Sequence, residues 1–169
     1  MRQYAKLFAA ILTALVIAVI MLGAAVAGPF EDAQAAFRAG DETEGYRLTR
    51  LAAEQGDVKA QITLGLFYSN GRGVTQSDVE ATQWFRRAAE QGDDGAQFDL
   101  AAAYFFGVGV PQDYLEAHKW ADLAVSRAPD EITRQSHLVM LETIAQKLNS
   151  EQIVEAHKLA REWNPKPER

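Results

Sequence analysis

The chain has 169 residues, with 17 Lys and Arg against 23 Asp and Glu, a net charge of −6 and no cysteine. Without cysteine there are no disulfide staples and no thiolate metal sites, so stability has to come from packing. An acidic chain with no cluster of Lys or Arg repels phosphate backbones, which excludes nucleic acid as an expected partner and leaves the charges as solvated helix faces.

The N-terminus is written differently from the rest. It opens with Arg2 and Lys6, runs apolar from Leu7 to Leu22, and closes on small residues with Ala25 and Ala27 in an A-x-A arrangement. This pattern predicts a secretory signal peptide over residues 1–27, cleaved after Ala27, and hence an exported, periplasmic protein. The alternative is an uncleaved anchor in the inner membrane, although the apolar run falls short of the ~20 residues that a spanning helix normally needs. Removing Arg2 and Lys6 leaves 15 basic residues against 23 acids, a balance of −8. What remains is expected to be one repeat domain over 28–164 and a short tail over 165–169, of a size that can bury a core unaided.

From residue 30 onward the chain repeats itself. "LAAEQGD" at Leu51–Asp57 returns as "RAAEQGD" at Arg87–Asp93, thirty-six positions on. The same shift superposes Ala60 on Ala96, Gln61 on Gln97, Leu64 on Leu100, Tyr68 on Tyr104, Gly71 on Gly107, Gly73 on Gly109 and Trp84 on Trp120. A period of this length marks a stacked repeat architecture. The expected units are a degenerate one over 30–57, full ones over 58–93 and 94–129, and a C-terminal capping unit over 130–164.

Helix starts recur in the same phase. Asp41, Ser77, Asp113 and Asn149 are favoured N-caps, and Glu44, Glu80, Glu116 and Gln152 stand three residues later, which predicts a capping box at each. The partner helices are predicted over 58–70 and 94–106, ended by Gly71 and Gly107, while Gly56 and Gly92, each followed by Asp, turn the chain into them. Beyond them a helix from Glu131 to Leu148 and a last one before Pro165 bring the number to eight helices in four pairs. Ala81, Trp84 and Ala88, and again Ala117, Trp120 and Ala124, form a packing stripe at helical spacing, which makes both indoles expected core residues. The G-x-G of "GRGVTQ" and "GVGVPQ" follows a helix and has Gln76 or Gln112 in third place, so it is no phosphate loop.

These residues resemble the Sel-one-like repeat, a relative of the tetratricopeptide repeat. Ala60, Leu64, Gly65, Tyr68, Gly71, Gly73, Val74, Ala81, Trp84, Ala88, Ala89 and Gly92 match its pattern, with Ser77 where Asp is usual. The second copy departs at Ala101 for Gly, Ala121 for the aromatic at Phe85, and Ala128 for the closing Gly. The resemblance implies an all-α, right-handed α/α superhelical solenoid of antiparallel helix pairs. For some relatives it also implies hydrolytic, β-lactamase-like activity, which stays as an alternative here.

No H-E-x-x-H, S-x-x-K, G-x-S-x-G or Walker loop occurs, and Asp41, Glu44, Glu80, Asp113 and Glu116 already have cap roles. His118, His137 and His157 fall on three predicted helices at no ligand spacing, and are read as solvated or half-buried. No catalytic residue, cofactor or metal is therefore expected. A solenoid's natural product is a groove that holds another protein or an envelope component. The helix-one positions left free by the repeat pattern are Thr63, Phe67, Asp99, Ala103, Phe105 and Phe106, and these are the candidate lining of a protein-binding groove in a monomer. Phe105–Phe106 replaces polar Ser69–Asn70. Two readings stand for that pair: an exposed apolar contact, or rings packed under the next unit.

Overall fold

The computed structural model describes residues 28–168, so the leader expected over residues 1–27 lies outside the described residues. Eight helices follow one another among those residues: α1 (Pro29–Arg38), α2 (Glu42–Glu54), α3 (Val58–Asn70), α4 (Asp78–Gln91), α5 (Asp94–Phe106), α6 (Tyr114–Arg127), α7 (Glu131–Ala145) and α8 (Ser150–Glu162). Each of α1 to α7 packs mainly on its neighbours in sequence, whereas α8 passes over α7 and covers α6. This is an all-α repeat solenoid of helix pairs. None of the described helices is long and apolar enough to cross a membrane.

The repeated hexapeptide explains the turn between pairs. Ala52, Ala53, Ala88 and Ala89 are buried and let the next helix approach closely. Gly56 and Gly92 take positive φ (92° and 101°), which costs a residue without Cβ nothing. Asp57 and Asp93 then cap α3 and α5, accepting the N–H of Ala60 and Ala96 at 2.8 Å each.

All four predicted N-caps accept from their helix's first turn: Asp41 from Glu44 at 3.0 Å, Ser77 from Glu80 at 3.3 Å, Asp113 from Leu115 at 2.9 Å and Glu116 at 3.1 Å, and Asn149 from Gln152 at 2.9 Å. The reciprocal half of the box forms at Asn149 alone among these four, where Gln152 Oε1 accepts the Asn149 N–H at 3.0 Å. Two of the glutamates have better partners than a backbone amide. Glu44 pairs with Arg47, while Glu116 accepts from Lys119 at 2.9 Å and from Trp120 Nε1 at 3.0 Å.

The glycine loops differ in role from what a turn alone requires. A Cβ on Gly73 would fall 2.1 Å from the Tyr46 ring, and one on Gly109 would fall 2.1 Å from the Asp78 carbonyl oxygen. Each second glycine of the G-x-G therefore lets its loop lie flat against the preceding pair. Thr82 Oγ1 donates to the Val108 carbonyl at 3.1 Å and pins the second loop in place.

Three expectations are corrected here. The helix starting at Glu131 ends at Ala145, three residues short of Leu148, because the chain turns to present Asn149 as the next cap. Trp120 is buried at 3 % exposure, but Trp84 is half-buried, with the Arg87 guanidinium 4.5 Å above its ring. Trp120 is closed off by α8 through Trp163, ring centroids 6.0 Å apart. His118 and His137 are buried at 2 % and 5 %, not solvated, the latter stacked on Phe98 at 4.8 Å.

Candidate functional site

The six candidate groove residues fall into two hollows and one packed corner. Thr63 and Phe67 line a hollow of about 280 Å³ in the first repeat. Phe67 is not a free surface position: it is 6 % exposed and meets Tyr46 at 4.7 Å and Phe37 at 5.7 Å edge to face, with Arg72 5.8 Å above its ring. The degenerate first unit supplies Phe37 and Tyr46, and a large ring at 67 fills the space against them. Thr63 donates its hydroxyl back to the Lys59 carbonyl at 2.7 Å.

Asp99, Ala103 and Phe106 come together in a second hollow of about 270 Å³, between α3, α4 and α5. Ala103 is buried at 8 % and forms its floor, so its contribution is absence of bulk, not contact. Phe106 is 66 % exposed on the rim, together with Leu66 at 45 % and Val108 at 44 %. Phe105 lines neither hollow; it is half-buried between Phe106 (4.9 Å) and Tyr114 (5.6 Å). Both readings of the Phe105–Phe106 pair thus apply, one to each ring: the first packs and the second faces out.

Asp99 carries the polarity of this hollow. Burial, and after it the neighbouring Asp93 charge, push its carboxyl up to about 6, with His137 acting the other way. A carboxylate held half-desolvated beside exposed apolar side chains favours an incoming hydrogen-bond donor or cation.

Leu66 and Val108 were missed by sequence reasoning, although a signal exists for the second. The thirty-six-residue shift places Asn70 on Phe106 and Arg72 on Val108, so both polar positions of the first rim turn apolar in the second. Away from the hollow, α6 and α8 bring two histidines together that the sequence left apart. The His118 and His157 rings meet at 4.9 Å, edge to face, and His157 Nδ1 lies 2.7 Å from Asp122 Oδ2. Burial, and after it the His157 charge, lowers the His118 pKa and keeps that ring neutral. Among the described residues no group of three or more His, Cys, Asp or Glu is arranged to hold a metal ion.

Known families and structures agree with this architecture. The Sel1 repeat family matches residues 32–57, 58–93 and 95–128, more than half of the chain. The chain belongs to the Sel1 repeat family. A solved protective antigen of uropathogenic Escherichia coli strains, described as displaying an SLR fold, superposes with a TM-score of 0.70 at 29% identity. That match covers 85% of this chain but 30% of the other, so this Sel1 protein spans under a third of that relative's length. A Sel1 repeat protein from Oxalobacter formigenes superposes with a TM-score of 0.59 at 32% identity, over 65% of this chain and 85% of that one. No curated protein matches. Sel1 repeat proteins are generally protein-interaction scaffolds without catalysis of their own.

Proposed function

We propose that this Sel1 protein is a non-catalytic scaffold of the bacterial cell envelope, exported by its leader, and that it holds a partner protein in the hollow between α3, α4 and α5. The observation that carries this reading is the rim. Three large apolar side chains, Phe106, Leu66 and Val108, stand 44–66 % exposed around a concave floor. Exposed apolar groups clustered on a concavity mark an interaction site, whereas single ones scattered over a surface do not. The partner segment that fits offers an apolar side chain to the floor at Ala103 and a cationic or N–H donor to Asp99. Export is supported by the basic start, the apolar run and the A-x-A before Gly28.

Two measurements test the two halves. Protein recovered from the periplasm is expected to begin near Gly28 on N-terminal sequencing; Met1 retained in membranes would make it an anchored scaffold instead. Phe106→Ala with Val108→Asp is expected to leave the melting temperature unchanged and to weaken the partner complex at least tenfold, as truncation of a contact worth ~2 kcal/mol does. Equal affinity in the folded double variant would remove the hollow from consideration.

A further inference from the structure

The segment after α8 does not trail into solvent. Trp163 leaves the helix in an extended conformation (φ −73°, ψ 139°) and anchors under Arg127, whose guanidinium sits 4.6 Å above the indole. From there the chain runs back along the edge built by the repeated "AAEQGD" turns. Pro165 lies in van der Waals reach of Gly92, within 3.8 Å of where a Cβ there would stand. The Lys166 N–H donates to the Glu90 carbonyl at 2.7 Å, and the Glu168 N–H to Gln91 Oε1 at 3.4 Å. The Glu168 carboxylate accepts from Arg87 Nε at 2.8 Å, from Arg87 Nη2, and from the buried Gln61 Nε2 at 3.1 Å.

The register of these contacts is that of the repeat. Pro165 meets Gly92 and Glu168 meets Gly56, two turns thirty-six residues apart that Gln91 ties together by donating to the Gly56 carbonyl at 2.9 Å. Three residues of extended chain cover about 10 Å, and that span carries the segment from the turn at Gly92 to the turn at Gly56. A proline-rich strand therefore advances one repeat for every three residues. Gly56 is needed for this: a Cβ there would come within 2.9 Å of Glu168 Cβ, whereas one on Gly92 would stand 3.7 Å from Pro165 in ordinary contact.

What the edge reads is generic. Pro165, Lys166 and Pro167 are exposed, so their side chains contribute little, and the contacts fall on the backbone N–H groups of Lys166 and Glu168 and on one carboxylate three positions after the proline. Arg87 holds that carboxyl below the usual range, as a forked guanidinium does. One repeat along, the fully buried Gln97 keeps its Oε1 without a partner, where Gln61 Oε1 accepts from Gln91 Nε2 at 2.9 Å. Arg127 stands at the position equivalent to Gln91 and is turned onto Trp163 instead.

The geometry points to a second binding site, separate from the hollow: the edge formed by Gly56, Arg87, Gln91 and Gly92 takes an extended Pro-x-x-Glu or Pro-x-x-Asp segment of a partner protein, and residues Pro165–Glu168 occupy it until such a segment displaces them. Because the resident segment is tethered, a free peptide competes against its effective concentration, which is in the millimolar range for short linkers. Releasing the tether end should expose the site.

The test uses the full chain and a synthetic peptide with the sequence of Trp163–Glu168, acetylated and amidated, titrated while the amide signals of Gly56 and Gly92 are followed by NMR. Glu168→Ala in the chain is expected to tighten peptide binding at least tenfold over the unaltered chain. Replacing the glutamate of the peptide by alanine should abolish the gain, and so should adding Arg87→Gln to the Glu168→Ala chain. The peptide variant decides the matter even if Arg87→Gln impairs folding. Equal binding by both chains, or indifference to the peptide's glutamate, would reduce the segment to a structural strap and overturn the site. A concentration-dependent dimer that Glu168→Ala dissolves would assign the edge to a second copy of this chain and overturn the partner reading.

Discussion

The two full repeats share one backbone plan and yet present opposite surfaces at the same register. Phe67 fills the first concavity from below and Arg72 covers it from above, where the second repeat has Ala103 and Val108. Thr63, turned back onto its own helix, corresponds to the half-desolvated Asp99. The exposed Phe106 stands where the first repeat has Asn70, which hydrogen-bonds to the Leu66 carbonyl at 2.9 Å. Moving one aromatic three positions along a helix thus empties a core position and places an exposed apolar ring on the rim. The repeat pattern tolerates this because its own packing residues, Leu64 and Leu100, stay buried in both copies.

The largest effect expected from this comparison concerns the tryptophans. Trp120→Ala should cost roughly 3–5 kcal/mol, the usual loss for a large buried aromatic. Trp84→Ala should cost only about 1–2 kcal/mol, because its ring is only partly buried and one face is covered by Arg87. Equilibrium urea denaturation of the two variants measures the gap, and equal losses would refute the difference in burial.

A second contrast is smaller and more specific. Gly65 lies against Phe85, where an added Cβ would stand 2.6 Å from the ring, and the second repeat replaces this pair by Ala101 and Ala121, both fully buried. Gly65→Ala should cost about 1–3 kcal/mol by overpacking. In the double variant with Phe85→Ala the two losses should fall short of additive, since the alanine pair is the one the neighbouring repeat already uses. Strict additivity in a double-mutant cycle would show that the two positions are not coupled.

The smallest effect separates the hollows by pH. Asp99 has its folded-state pKa raised from 3.8 to about 6, so the carboxyl form is favoured in the folded chain. Its stabilising contribution is present below pH ~4 and is lost as pH rises through about 6. Asp99→Asn should accordingly raise stability at pH 7 by about 1 kcal/mol and leave it nearly unchanged at pH 4, while Thr63→Val should show no such pH dependence. Thermal denaturation at the two pH values reads this directly, and a pH-independent Asp99→Asn effect would contradict the burial of the carboxylate.

Much of this molecule was legible before its structure. The period of thirty-six, the N-caps and the glycine turns are local signals, and α3 and α5 begin and end where those signals put them, at Val58–Asn70 and Asp94–Phe106. Cap and turn chemistry acts over a few residues, so sequence alone carries it. The candidate surface was only half legible. Asp99 and Phe106 line one hollow with Ala103 as its buried floor, but Phe67 turned out to be core, because its burial depends on Phe37 and Tyr46 from a unit whose repeat pattern has decayed.

Other features needed the tertiary fold altogether. Which of two equivalent tryptophans is sealed depends on α8 returning over α6, and the meeting of His118 with His157 follows from the same return. The seating of Glu168 on Arg87 and Gln61 joins residues 81 and 107 positions apart. The sequence by itself determined the period, the limits of α3 and α5 and the small residues that let neighbouring helices stack, since each depends on a few adjacent side chains. Only the tertiary structure decided which faces the outer units cover, because burial belongs to the neighbour as much as to the residue.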